Sequence, residues 1–186
     1  MNTKNLQQHA FKGSALAFTL TALALGMSPL PSQAQLLPLP PLVQCTGTTN
    51  LTFTPGLTNS TQNHVVTIKE NLPLCVNLLN PLDLLSAGTS QSQVPRTLSC
   101  NSQFGGGPGQ RIINWTDNTQ STFNYVSQSN IINGQIIVVF TGNIVAGKYA
   151  GSSATAQYVL PTLSGAACNT PQGLTSTSGL FTLNIL

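Results

Sequence analysis

Apolar and polar residues alternate with period two from Cys45 onward. In residues 65–70, Val66 and Ile68 share a face, opposite Thr67 and Lys69. Ile113 and Trp115 share a face in 111–117, and Phe123 and Tyr125 do so in 121–127. In 180–186, Phe181, Leu183 and Ile185 alternate with Thr182 and Asn184. Alternation rich in β-branched and aromatic residues, punctuated by Gly and Asn, predicts strands. Residues 136–140 (IIVVF) are apolar throughout, as in a strand covered on both faces. Asn133-Gly134 tolerates the positive φ of a tight hairpin turn. Ala146-Gly147 turns the next pair, and Ser178-Gly179 leads into the last strand. One short helix is expected over 80–88. Asn80 would cap it, Pro81 suits its first position, Asp83 favours its positive end, and Gly88 would end it. The expected fold is all-β: an immunoglobulin-like antiparallel β-sandwich of about eight strands with that one helix.

The first 34 residues differ in kind. Lys4 and Lys12 flank a start without acids, and residues 14–27 (SALAFTLTALALGM) carry no charge. That is the length of a signal-peptide core, and Ser32-Gln33-Ala34 offers small residues where cleavage needs them. The chain therefore reads as a signal peptide (1–34), a Pro-rich extended linker (35–44, QLLPLPPLVQ) and one domain (45–186). No second long apolar run follows, so no membrane span is expected after signal removal.

Composition narrows the chemistry. Only 5% of residues are charged, with 3 acids and 2 histidines in 186 residues. A net charge of +3 supplies no basic patch for nucleic acid. His64 is the one histidine beyond the signal and could act as a general base. It lacks a Gly-x-Ser-x-Gly nucleophile elbow, and Asp83 and Asp117 stand in unrelated contexts. Glu70, beside Lys69, reads as a solvated strand end. Residues 105–109 (GGGPG) lack the Lys-Ser/Thr pair of a phosphate cradle and read as a loop. No metal, cofactor or catalytic residue is expected. Tyr125, Tyr149 and Tyr158 could form a platform for sugar rings, whereas Trp115 reads as core.

CTGTTNLTFTPGLT near Cys45, IINWTDNTQSTFNY around Trp115, GNIVAGKYAGSSATAQYVLPTL, Cys168 and the closing SGLFTLNIL carry a resemblance. In that order they resemble small exported bacterial proteins of actinobacterial type with four such cysteines. The resemblance spans nearly all of the chain beyond the signal and implies a β-sandwich. It implies no catalytic residues. The segment LNPLDLLSAG and the Pro-rich leader have no counterpart in it.

Four cysteines in an exported chain imply two disulfides. In an immunoglobulin-like sandwich the first and last strands run parallel, which would bring Cys45 near Cys168. Cys75–Cys100 would then pin the loop between them. The functional reading is an exported, non-catalytic protein with a structural or interaction role in the cell envelope or extracellular space. Its location would be extracellular, periplasmic or at the cell surface, and its partner a cell-surface protein or polysaccharide. A glycan-binding module is the alternative. A pilus-like subunit is a second, although the prolines of 35–44 fall where a donor strand needs N–H groups.

Overall fold

The computed structural model describes residues 42–79, 84, 85, 87–102, 104, 106–163 and 165–186. The expected signal peptide and most of the linker lie outside them. The linker ends earlier than expected, because Val43 and Gln44 already belong to the first strand. The elements are β1 (Val43–Leu57), β2 (Gln62–Asn77), β3 (Leu84–Leu85), β4 (Gly88–Leu98), β5 (Gly107–Trp115), β6 (Gln120–Ile132), β7 (Gln135–Gly147), β8 (Ser153–Pro161), α1 (Gly165–Cys168) and β9 (Leu174–Ile185).

The all-β expectation holds, but the sandwich does not. All ladders are antiparallel, and neighbours in the sheet are neighbours in the chain. β9 pairs with β1, and β1 pairs with β2, so the sheet closes on itself. The result is an eight-stranded up-and-down barrel, a closure that removes free edges over most of its circumference. β3 continues the line of β4 along β2: Cys75 faces Leu85 and Leu72 faces Gly88 in one register.

The expected helix over 80–88 is not seen where residues are described. Leu84 and Leu85 are extended, and Gly88 opens β4. Asn80, Pro81 and Asp83 lie outside the described residues. The four-residue helix α1 precedes β9 instead. The Asn133-Gly134 hairpin forms as expected, with φ of 50° and 74° joining β6 to β7. Gly147 closes β7 at φ 81° before the turn into β8. Ser178-Gly179 does not precede the last strand but lies inside β9.

An eight-stranded barrel is just wide enough for side chains to fill. One end of the interior holds Val43, Leu72, Ile113, Trp115, Leu183 and Ile185, all buried. The other holds Leu51, Phe53, Leu57, Val66, Leu98 and Leu160. Outward positions of β1 are Thr46, Thr48, Asn50 and Thr52, all exposed. Residues 136–140 are therefore not covered twice: Ile136, Val138 and Phe140 are buried, while Ile137 and Val139 are only half-buried on the outer face.

The disulfides are Cys45–Cys75 and Cys100–Cys168, correcting the expected Cys45–Cys168 and Cys75–Cys100. The cause is strand direction. β1 and β9 are antiparallel, so the start of β1 lies beside the end of β9, with Val43 facing Ile185. Cys168 precedes the start of β9 and so belongs to the opposite end of the barrel from Cys45. Cys45 faces Cys75 directly across the β1–β2 ladder, with Cα atoms 4.0 Å apart. Cys100–Cys168 ties the β4–β5 connection to α1. The two disulfides mark an oxidising, extracytoplasmic environment. Among the described residues no helix is long and apolar enough to cross a membrane.

Non-reducing peptide mapping is expected to link Cys45 to Cys75 and Cys100 to Cys168, and no other pair. Replacing Cys100 and Cys168 together by Ser should cost roughly 4 kcal/mol in the chain-entropy limit, read by urea unfolding.

Candidate functional site

The ring of ladders is complete except at one seam. β4 pairs with β5 only at Gly88–Trp115 and Thr89–Asn114. Just outside, Thr116 N–H donates to Ala87 O at 2.9 Å, which makes that pair a hydrogen-bonded one. Counting on in the same register, every second pair would exchange bonds in the same way. The pair Pro95–Pro108 falls on that count, and neither residue has an N–H to give. Proline is tolerated on an edge strand but cannot continue a ladder on its missing donor's side. β4 beyond Thr89 bonds only to β2, and β5 before Asn114 only to β6, with the proline rung further along the open stretch.

A cavity of about 60 Å³ lies in the barrel interior along this seam. Leu51, Val66, Ile68 and Leu98 wall it from the β1–β2–β4 side, and Val138 and Phe140 from β7. Phe104 closes one side from the β4–β5 connection. It stacks on Phe53 with centroids 6.0 Å apart, and its carbonyl accepts from Ser129 Oγ at 2.5 Å. Its segment is anchored by the Cys100–Cys168 disulfide. The polar side chains lining the cavity are Arg96, Ser127, Tyr125 and Tyr158. Ser127 Oγ donates to Gly107 O at 3.1 Å. Tyr125 lies over Gly109, where a Cβ would sit 2.7 Å from its ring, so only glycine admits that ring position.

Beneath the cavity lies a charged group that the sequence reading missed. Glu70 is not a solvated strand end; it is buried in the barrel and paired with Arg111 at 3.0 Å. Arg111 Nη2 donates to Tyr158 Oη at 2.7 Å, and Tyr158 Oη donates to Glu70. The guanidinium carbon lies 4.6 Å from the Phe140 centroid, 5.2 Å from those of Tyr125 and Phe181, and 5.4 Å from that of Tyr158. Four ring faces thus replace the water the cation has lost. Burial pushes the Glu70 carboxyl above its ordinary value, against the lowering effect of Arg111 and of hydrogen bonds from Tyr158 and Ser90. Burial also works against the Arg111 charge, but Tyr158 and Glu70 outweigh it and raise its pKa. Burial lifts the Tyr158 phenol well above its usual range. Arg111 Nη1 and Thr49 Oγ1 are buried without a partner among the described residues.

Phase along the strands was the missed signal. Glu70 falls on the face of Val66 and Ile68, and Arg111 on that of Ile113 and Trp115. The same count puts Arg96 on the inward face of β4, with Val94 and Leu98.

The three tyrosines do not share an outer face. Tyr158 is buried inside the barrel, and Tyr125 is half-buried at the cavity. Tyr149 sits in the β7–β8 turn at φ 65°, edge-on to Trp115 at 5.7 Å. Trp115 is core, its Nε1 donating to Ser121 Oγ at 2.8 Å. His64 is buried, with Nδ1 2.8 Å from Pro55 O and Nε2 3.2 Å from Leu98 O. Both ring nitrogens face backbone carbonyls. Asp117 pairs with Lys148 at 2.6 Å on the surface. Among the described residues no cluster of His, Cys, Asp and Glu could hold a metal ion. The chain matches no family model, no curated protein and no solved structure.

Arg111→Met should destabilise the fold by about 3–5 kcal/mol, because it strands the Glu70 carboxylate in the interior. Glu70→Leu with Arg111→Met should recover most of that loss, and a double-mutant cycle in urea measures the coupling. The raised Glu70 pKa also fixes a sign. As pH rises from the ordinary value of 4.5 toward the raised one, the folded chain holds a proton that the unfolded chain has lost. Stability should fall through that window and be fully present below it. Glu70→Gln should flatten this slope.

Proposed function

We propose that the chain is an exported, non-catalytic barrel that works by binding, in the cell envelope or outside the cell. The observation that carries this is the state of its few ionisable side chains. Glu70 and Arg111 neutralise each other, and the His64 ring is held between two carbonyls. What remains open is an apolar cavity. General acid–base work needs a group within hydrogen-bond reach of a substrate proton, and His64 offers its nitrogens elsewhere. The outward positions of β1 are Thr and Asn, polar where a lipid-facing strand is apolar, while Ile112, Val126 and Leu180 are exposed on other strands. The proline pair at the seam weighs against a pilus-type inserted strand, which would need ladder donors there. The disulfides and the basic, apolar and small-residue segments of 1–34 support export.

Production in an exporting bacterial host tests this reading. The secreted product should begin at Gln35, and a product that keeps Lys4 and Lys12 overturns export. Screening against esterase, peptidase and glycosidase substrates should give no turnover. A turnover abolished by His64→Ala in a folded protein overturns the non-catalytic assignment.

A further inference from the structure

We propose that the seam cavity binds a short aliphatic carboxylate, with the hydrocarbon end inside and the carboxylate on Arg96. The inference rests on the binding role above and names its ligand class. Three observations carry it.

The first is size. About 60 Å³ is well below the roughly 150 Å³ of an apolar cavity that takes benzene, so the space suits three or four aliphatic carbons. Val66, Leu98 and Val138 supply an aliphatic wall, and burying such a group there gains about 25 cal/mol per Å².

The second is Arg96. It stands on the inward face of β4 between Val94 and Leu98, lines the cavity, and yet is exposed, because the seam leaves that stretch uncovered. The described ion pairs are Arg111–Glu70 and Lys148–Asp117, and neither uses it. A guanidinium set at the mouth of an apolar cavity, with no acid paired to it among the described residues, complements an anion. Its planar fork matches a carboxylate in two parallel hydrogen bonds.

The third is access. The β4–β5 ladder ends at Thr89–Asn114, and further along it Pro95 and Pro108, both exposed, stand on its two banks without an N–H to pair. A strand would lack donors at the proline rung, whereas a small molecule needs no ladder and can pass. Ser127 and the two tyrosines are the remaining polar groups at the wall.

The test is an NMR titration of the secreted, disulfide-bonded protein with 3-methylbutanoate, 3-methylbutanol and 3-methylbutylamine, which share one hydrocarbon end. The acid should bind saturably, with a dissociation constant on the order of 1 mM for so few atoms. Its shifts should centre on Leu98, Phe104 and Val138. The alcohol and the amine should bind roughly tenfold more weakly or not at all. Arg96→Gln should reduce acid binding to the level of the alcohol. Val94→Trp, at the half-buried rim, should fill the mouth and abolish binding in a protein whose spectrum stays folded. Equal binding of acid and alcohol, or acid binding unchanged in Arg96→Gln, overturns the proposal while leaving a binding cavity. Shifts away from the seam, or no saturable binding of the acid, overturn the proposal outright. None of these outcomes bears on export or turnover, which the N-terminal sequence and the substrate screen decide.

Discussion

Closure of the sheet is the constraint from which the rest follows. Once β9 pairs with β1, every strand has an inside and an outside, and every second side chain must fit a space of fixed width. Closure also fixes which cysteines can meet. Cys45 and Cys75 face each other because consecutive strands pair, and Cys168 is carried to the far end because β9 runs against β1. One disulfide therefore clamps the first ladder, and the other ties a connection to the turn before the last strand.

Within that interior the ion pair of Glu70 and Arg111 divides two halves of different character. Toward Val43, Cys45, Trp115 and Ile185 the space is filled by apolar side chains. Toward Leu51, Val66 and Leu98 it is filled incompletely. A buried ion pair is a weak source of stability, since desolvation offsets most of the attraction. Its effect here is on position. Arg111 draws Tyr125, Phe140, Tyr158 and Phe181 around one cation, and three of those rings also line the cavity. The charged group thus orders the rings that form the cavity's deeper wall.

Strand positions were legible because alternation is a local property. Residues 65–70, 111–117, 121–127 and 180–186 all fall largely on strands, and Asn133-Gly134 makes its hairpin. Sandwich and barrel were not separable, because both alternate inward and outward along each strand and differ only in whether the edges meet. The disulfide expectation failed for the same reason: it took its strand directions from the wrong closure. Glu70 reads as solvated through its neighbour Lys69 and as buried through Val66 and Ile68, four and two residues before it. Residue type suggested solvent, whereas phase along the strand pointed inward. Arg96 and Arg111 carry the same contradiction between type and phase. In so weakly charged a chain, a charge in step with the apolar face was the most informative mark available.

The seam shows how a closed barrel can keep one opening with its facing edges blunted at one rung. Two bare strand edges facing one another would ordinarily pair, or recruit a strand from another chain. Here the ladder stops at Thr89–Asn114, and three bonded rungs further along the same register Pro95 meets Pro108, so both missing donors fall on one rung. The prolines leave the ladders to β2 and β6 intact on their other sides. Gly109 then lets the Tyr125 ring lie flat against β5, and Phe104, held by the disulfide-anchored segment, covers the interior from the other bank. Between these rings the inward face of β4 stays uncovered at Arg96. A charge that would be intolerable inside a sealed barrel is thereby hydrated at the mouth of an open one, and the cost of burying it does not arise until an anion arrives to share it.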